Sequence, residues 1–217
     1  GCSAVAALAL HRVREKVAGV PVLVAFAALA AATLVCKSLG AIVLTTIGIA
    51  LLLLPVPGAA WIVLLVMPLV YMATRLTEPK LFDDVLGLLG FVSDDRVDSL
   101  AYRWRCEDLL AGIGWQKPWF GVTGRGYATY DEYGEVTRVV TDSLWIISFV
   151  GFGFTGLAGS MGTFLLGAGR GLLARARATV AGARGAEVGI GIMLLLVTFD
   201  SLANAFATPV WVLVAGA

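Results

Sequence analysis

The uncharged runs of this 217-residue sequence constrain its fold more than any other feature. Between Lys16 and Lys37 lie 20 residues without a charge, and between Lys37 and Arg75 lie 37 more. A helix needs about 20 apolar residues to cross a bilayer. The first run therefore predicts one membrane span. The second run predicts two spans, which the Pro/Gly-rich turn at 55–58 joins.

Two further apolar stretches follow these runs. The 27 uncharged residues 143–169 predict a fourth span. The stretch 188–217 is apolar except for Asp200, and it is either one long broken span or two short ones. Residues 1–9 look like the tail of an earlier span, and no basic n-region precedes them, so we expect the chain to begin partway through a longer protein.

Composition supports a membrane protein. Hydrophobic residues make up 59% of the chain and charged residues 14%, which excludes an ordinary water-soluble fold and intrinsic disorder. A single His and three Cys without a CxxC pair exclude a multi-histidine metal centre and a zinc site. The predicted fold class is all-α, a polytopic membrane helix bundle with one large extracytoplasmic loop that contains short helices.

Charge bias predicts the orientation of the bundle. The basic segments 11–17 and 170–185 are expected in the cytoplasm, and three spans then place residues 76–142 outside. Residues 75–142 carry 8 basic and 12 acidic residues, a net charge of −4, which agrees with that assignment. The predicted organisation is membrane helices over 1–75, an extracytoplasmic loop over 76–142, and membrane helices over 143–217.

The large loop is too long for a simple connector and is expected to be structured. Its residues 81–92 are apolar on one side, and they either lie in the membrane interface or form a short packing helix. Residues 97–111 predict a helix with Asp94 or Asp95 as its N-cap.

Arginines are concentrated on this predicted helix. Arg96 and Arg103 share a face because they are seven residues apart. Arg103 and Glu107 are spaced i,i+4, and Arg105 and Asp108 are spaced i,i+3. These arginines either pair along the helix or bind an anion.

A glycine-rich stretch follows the helix. Glycines at 121, 124 and 126 surround Arg125, and they either let backbone N–H groups approach an anion or form an ordinary turn. Three tyrosines at spacing three either stack sugar rings or pack: Tyr127, Tyr130 and Tyr133. Trp115 and Trp119 lie just before these glycines, and they fit the aromatic belt of a membrane interface.

At Asp142-Ser143 the sequence resembles the O-antigen ligase/polymerase superfamily of bacterial envelope glycosyltransferases. The ligase hallmark is His followed by Asn, Ser or Gln, nine residues, and then Gly-x-x-Gly, Thr or Tyr. Asp142-Ser143, the nine residues 144–152, and Gly153 to Gly156 match that spacing. Asp142 stands where the ligases carry His, which favours a polymerase-like or divergent member, including an inactive relative.

Two upstream segments extend this resemblance, which covers about residues 90–160. The arginine- and tryptophan-containing helix around Arg103 and Trp104 resembles one family segment. Pro118 to Gly121, with Gly124 and Gly126, resembles the family's Pro–Gly–x–Gly stretch. Full-length members have roughly twice as many spans, so this chain would correspond to the C-terminal half.

The resemblance implies a GT-C-like, metal-independent glycosyltransferase without a cofactor, at the outer face of the bacterial cytoplasmic membrane. Its donor would be a glycan on undecaprenyl pyrophosphate. Its acceptor would be a lipid-A core sugar or another lipid-linked glycan.

The residue types suit that chemistry. Guanidinium groups stabilise the negative charge that develops on a pyrophosphate leaving group, and five arginines are candidates: Arg96, Arg103, Arg105, Arg125 and Arg138. The acceptor hydroxyl needs a proton acceptor, for which Asp142 is the first candidate and Glu107 the second. Asp142 is alternatively the N-cap of the fourth span.

Two other function classes compete with the transferase. Asp200 and Asn204 within an apolar stretch suggest a transporter or flippase subunit, because intramembrane ionisable groups mark ion pathways. A non-catalytic membrane scaffold is the third class. Cys36 and Cys106 both fall outside in this topology, where they form either a disulfide or two unpaired thiols.

Overall fold

The computed structural model of the chain describes residues 2–11, 15–17, 19–36, 38–54, 58–78, 94–122, 128–130, 136–138, 143–176 and 184–204. Those residues are mostly helical, which confirms the all-α prediction. The helices are α1 (Cys2–His11), α2 (Val22–Val35), α3 (Leu39–Leu53), α4 (Gly58–Thr77), α5 (Asp94–Gly114), α6 (Leu144–Ala176) and α7 (Arg184–Ala203). Two short antiparallel hairpins complete the description: β1 (Lys16–Val17) with β2 (Val20–Pro21), and β3 (Ala128–Tyr130) with β4 (Val136–Arg138).

The first uncharged run does not form the 20-residue span that was predicted. Gly19 turns with φ 82° between β1 and β2, and Pro21 precedes the first residue of α2. The remaining helix has 14 residues, about 21 Å of rise, which is shorter than a hydrocarbon core of about 30 Å. A glycine turn and a proline therefore remove the first quarter of the run from the helix.

The second run divides where the sequence predicts. α3 ends at Leu53 and α4 begins at Gly58, on either side of the Pro/Gly turn. α3 has 15 residues and α4 has 20. Among the described residues, two helices are long and apolar enough to cross a membrane, Gly58–Thr77 and Leu144–Leu173, and the other predicted spans stay predictions.

The basic segment predicted as a cytoplasmic loop is partly helical. α6 continues to Ala176, so Arg170 and Arg175 lie in the helix. The sequence between them contains only Gly, Leu and Ala, and Leu, Ala and Arg are strong helix formers. Over 188–217, α7 is one helix through Asp200 to Ala203, and residues 205–217 lie outside the described part.

The arginine-bearing helix is confirmed and is longer than predicted. α5 extends three residues beyond each end of 97–111. Asp94 and Asp95 are its first two residues rather than its N-cap. The predicted segment 81–92 lies outside the described residues.

The chain forms two compact units. The first unit contains the described residues of Gly1–Val66 and Thr163–Asp200. The second unit contains the described residues of Met67–Gly162 and Ser201–Phe206. In the first unit, α7 supplies the core, with residues 191–198 buried in succession. In the second unit, the core joins α5 to the start of α6, through residues such as Leu110, Trp145 and Phe149.

Candidate functional site

A buried carboxylate in the middle of α5 organises the second unit. Glu107 is 2% exposed, and its two oxygens accept hydrogen bonds from two other helices and from Ser143, which precedes α6. Tyr71 Oη donates to Oε2 at 3.1 Å and Arg75 Nε at 3.3 Å. Ser143 Oγ donates to Oε1 at 2.5 Å and Trp145 Nε1 at 3.2 Å. One side chain thus ties together the end of α4, α5 and the start of α6.

Arg75 is the counter-charge of this carboxylate, and it is itself 2% exposed. Its Nη2 lies 2.6 Å from Asp108 Oδ1 and donates to the Trp104 carbonyl oxygen at 2.7 Å. The guanidinium carbon lies 5.7 Å from the centre of the Trp104 ring, a cation–π distance. The residues Tyr71, Arg75, Glu107, Asp108, Ser143 and Trp145 are called the Glu107 network below.

In the sequence, Arg75 stands out only as the charge that ends an uncharged run. The signal that marks it is its position in the last turn of α4, where a cation complements the helix dipole. Its partners were hidden because Glu107 lies 32 residues away, and no local spacing connects the two.

Burial raises the pKa of Glu107, although its hydrogen bond from Ser143, the charge of Arg75 and its other donors oppose that rise. Desolvation disfavours the charged carboxylate. Four donors already occupy the two oxygens, so Glu107 would have to release one of them before accepting a substrate proton. The geometry therefore suits Glu107 to hold Ser143, the residue after Asp142, at the start of α6.

The described residues do not form the ion pairs along α5 that the spacing of the arginines suggests. Glu107 and Asp108 both pair with Arg75 instead of with Arg103 and Arg105. Arg103 Nη1 donates to the Ala203 carbonyl oxygen at 3.3 Å, near the end of α7. Glu107 turns into the core and Asp108, with a side chain that is 38% exposed, reaches the buried guanidinium from the edge of the core, whereas Arg105 is exposed.

The two glycine motifs of the sequence meet through their backbones. Val122 N donates to Val150 O at 2.7 Å, and Phe154 N donates to Pro118 O at 2.7 Å. α6 is kinked at Gly153, whose φ of 66° and ψ of −158° are accessible essentially to glycine alone. Residues 117–122 and 150–155 are called the glycine junction below.

The glycine junction is reciprocal. A Cβ atom on Gly153 would overlap the backbone of Trp119, and one on Gly121 (φ 74°) would overlap the backbone of Phe152. The Thr155 hydroxyl also donates to Trp119 O at 3.1 Å. Two glycines 32 positions apart thus let two chain segments lie in direct main-chain contact.

Aromatic rings surround the junction. The Phe154 ring centre lies 5.1 Å from that of Phe149, 5.8 Å from that of Trp115 and 5.9 Å from that of Trp119. Trp115 Nε1 donates to the Leu76 carbonyl oxygen at 3.3 Å. Gly156, the last motif residue, lies one turn further, where a Cβ would crowd the Phe152 side chain.

Several predicted site residues lie outside the described part of the chain. Asp142 and Arg125 are among them, with Gly124, Gly126, Tyr127 and Tyr133. For Arg96 and Arg138 the backbone is described, in α5 and β4 respectively, and their side chains are not. Of the predicted site residues, the structure brings Glu107 to Ser143 and brings Gly153 to the 118–121 segment.

The described cysteines are free thiols, with Cys36 exposed and Cys106 buried. No group of three or more His, Cys, Asp or Glu side chains that could hold a metal ion occurs among the described residues. Comparisons with protein-family models, with characterised proteins and with solved structures found no match to this chain.

Proposed function

We propose that this chain is an integral membrane protein in which α4 and α6 cross the bilayer. The most apolar windows of these helices are only 22% and 39% buried, whereas the core helix of a water-soluble protein is mostly buried. Large apolar side chains along α4 are exposed, and they include Ile62, Val63, Met67 and Val70. Water-soluble proteins rarely leave such a continuous apolar surface uncovered, and lipid is the solvent that suits it.

We further propose that the complete protein is a metal-independent glycosyltransferase of the O-antigen ligase/polymerase type. It would transfer or polymerise a glycan carried on undecaprenyl pyrophosphate, with a lipid-linked glycan or lipid-A core as acceptor. The observation that carries this proposal is the glycine junction, because the two glycine segments that carry the resemblance lie in main-chain contact. Arg103, from the arginine-bearing segment, belongs to the same unit.

The proposed roles follow from charge and position. Arg103, Arg105 and Arg125 would bind the pyrophosphate and stabilise the leaving group, with Arg96 and Arg138 as further candidates. Asp142 would accept the proton of the acceptor hydroxyl. The 2.5 Å hydrogen bond from Ser143 to Glu107 restrains the residue that follows Asp142, which would hold that carboxylate at the start of α6.

The proposed location follows from the charge distribution of the sequence. Residues 76–142 would face the outside of the bacterial cytoplasmic membrane, where polyprenyl-linked glycans are used. A cysteine introduced beside Tyr130 should react with a membrane-impermeant reagent added to intact cells or spheroplasts. Reaction only after the cytoplasmic side is opened would contradict the orientation and the proposed function with it.

The transferase is tested with two variants of the complete protein, Asp142→Asn and Arg103→Ala. We expect each to reduce transfer on the order of 10²-fold, because each removes a group that acts in the transition state. The measurement is the amount of surface polysaccharide, with the accumulating lipid-linked glycan as a second readout. Immunodetection in the membrane fraction checks that the protein is inserted.

A matched control is Arg170→Ala, which removes an exposed arginine of α6 that has no proposed role in glycan transfer, and three arginines of the basic segment 170–185 remain. It should retain transfer. Full transfer by both Asp142→Asn and Arg103→Ala would overturn the proposed site. Loss of function in Asp200→Asn alone would favour a transporter instead, because it points to an ionisable group within the apolar stretch.

A further inference from the structure

Helix α6 is longer than a bilayer is thick. Its 33 residues would rise about 50 Å in a straight helix, against a hydrocarbon core of about 30 Å. The kink at Gly153 divides it into residues 144–152 and residues 154–176. The second piece has 23 residues, about 34 Å of rise, which is long enough for one span that carries Arg170 and Arg175 in its last two turns, where arginine side chains can reach the headgroups.

Burial changes character at the same point. Before the kink, Trp145, Ile146, Phe149 and Val150 are all buried within the second unit. This first piece also begins beside Glu107 and Arg75, an ion pair that could not face hydrocarbon without a large cost. After the kink, exposed large apolar side chains such as Leu166 at 73% and Leu173 at 55% alternate with buried ones such as Met161 and Phe164.

Aromatic side chains are exposed at the level of the kink. Phe120 is 76% exposed, Trp119 66% and Phe152 63%. Exposed aromatic rings of this size are unfavourable in water, and Trp is enriched where acyl chains meet headgroups. Lys117, on the same turn, is also exposed, and an ammonium group there suits a lipid phosphate.

The glycine junction fixes this turn to the helix. Pro118 O accepts from Phe154 N, and Trp119 O accepts from Thr155 N and Oγ1. Trp119 and Phe120 are therefore held at one level of α6 by main-chain hydrogen bonds, which gives them the preorganised geometry of an anchor.

We propose, building on the membrane insertion inferred above, that the Gly153 kink marks the membrane–water boundary of α6. Trp119, Phe120 and Phe152 insert into the interface of phospholipid headgroups and acyl chains. Residues 144–152 remain on the water side with the Glu107 network, so only the part of α4 before Tyr71 lies in lipid, and the part of α6 after the kink enters the bilayer.

The test is a spin-label depth series on the full chain in phospholipid vesicles. Cysteines are introduced singly as Lys117→Cys, Phe120→Cys, Phe152→Cys and Leu166→Cys in a Cys2→Ser/Cys36→Ser background. All four positions are exposed, so each substitution should be tolerated. The background protein alone gives the contribution of the buried Cys106. Collision with oxygen and with a water-soluble nickel complex reports the depth of each label.

The expected pattern is a gradient. The label at 117 should be accessible to nickel, those at 120 and 152 should lie near headgroup level, and that at 166 should be the deepest, because residues 154–166 alone rise about 18 Å along the helix. A label at 166 that is not in lipid would overturn the membrane insertion and this inference together.

Three other results would overturn the interfacial anchor while leaving the membrane insertion standing. With 166 deep in lipid, labels at 120 and 152 that are fully water-accessible would place the boundary elsewhere. Labels at 120 and 152 that lie deep in the acyl region would show that the turn enters the hydrocarbon and returns, so that it is not an anchor at the interface. Labels protected from both reagents would show that a protein surface covers the aromatic residues.

Discussion

The two units bury polar groups in opposite ways. The described polar residues that are buried in the first unit are threonines: Thr33, Thr45 and Thr198. Each hydroxyl donates to the carbonyl four residues earlier in its own helix, at 2.6 Å for Thr45 and 2.8 Å for Thr198. In the second unit, Glu107 and Arg75 are satisfied across helices. A threonine is satisfied wherever its helix lies, whereas the Glu107 network is satisfied in one arrangement only.

One pair of glycines in each unit shows a second difference, although Gly19 of the first unit also has a positive φ. In the first unit, Gly171 and Gly191 let two helices approach, since a Cβ on Gly171 would lie 2.5 Å from the Gly191 Cα atom. Small residues at helix crossings are typical of membrane proteins. In the second unit, Gly153 and Gly121 provide backbone conformations with positive φ. The comparison suggests that the first unit is specified by shape and the second by charge and backbone geometry.

The largest expected effect is the loss of the buried cation of the second unit. Arg75→Ala leaves Glu107 buried without its counter-charge, which should lower the free energy of unfolding by about 3–5 kcal/mol. Chemical unfolding in detergent micelles measures it. Lys117→Ala removes an exposed cation from the same unit and should change stability by less than about 0.5 kcal/mol. Equal effects of the two substitutions would show that the buried ion pair does not stabilise the second unit, which would remove its difference from the first unit.

The next effect concerns the backbone of the junction. Gly153→Ala forces a side chain into a glycine-only conformation and against the Trp119 backbone, which should cost roughly 3 kcal/mol. Gly162→Ala, on the same helix with nothing within 4 Å of the added atom, should be neutral or slightly stabilising. Thermal unfolding of both variants tests the difference. A harmless Gly153→Ala would mean that the kink is not required.

A smaller effect is expected from shape in the first unit. Gly171→Ala should cost roughly 1–2 kcal/mol, because the helices must separate to admit a methyl group. Gly169→Ala, two residues earlier with open space around it, should cause no loss. The same unfolding measurement applies. If Gly171→Ala were as tolerated as Gly169→Ala, packing at this crossing would not limit stability.

The smallest effect is a pH dependence confined to the second unit. Burial raises the pKa of Glu107 in the folded protein, so the folded state holds this proton more tightly than the unfolded state. Its contribution is complete below the ordinary carboxyl pKa of about 4.3 and is lost as pH rises through the raised value.

The measurement is the difference in unfolding free energy between the wild type and Glu107→Gln across that pH range. We expect the wild type to lose stability relative to Glu107→Gln as pH rises, by at most about 1.4 kcal/mol per pH unit. A difference that grows in favour of the wild type with rising pH would mean that the Arg75 charge outweighs desolvation.

Local signals predicted the elements that local chemistry controls. The break at 55–58 follows from prolines and a glycine, and α5 follows from its helix-forming residues and acidic start. The helix in 17–36 is shorter than the predicted span, because the hydropathy of the run concealed the effect of Gly19 and Pro21, and its crossing of a membrane stays a prediction. Residues 170–176 of the predicted loop are helical, because charge alone conceals the helix-forming Leu, Ala and Arg residues there, and the cytoplasmic placement of 170–185 stays a prediction.

The candidate site depends on contacts that no local pattern contains. The spacing of Arg103 and Glu107 suggested a pair, but Glu107 faces the core and binds Arg75. The spacing of Gly153 after Ser143 was visible as a motif, but the need for glycine there arises from the Trp119 backbone. Asp142, Arg125, and the side chains of Arg96 and Arg138 stay predictions, because their surroundings are not described.

The burial of Arg75 has a consequence for the order of events during translation. A buried guanidinium without a partner carries a large desolvation cost, so the last turn of α4 cannot settle in a dry environment by itself. Glu107 emerges from the ribosome 32 residues later, and Ser143 another 36 residues after that. Completion of α4 must therefore await synthesis of α5, and nascent chains arrested before residue 107 should keep Arg75 in contact with water.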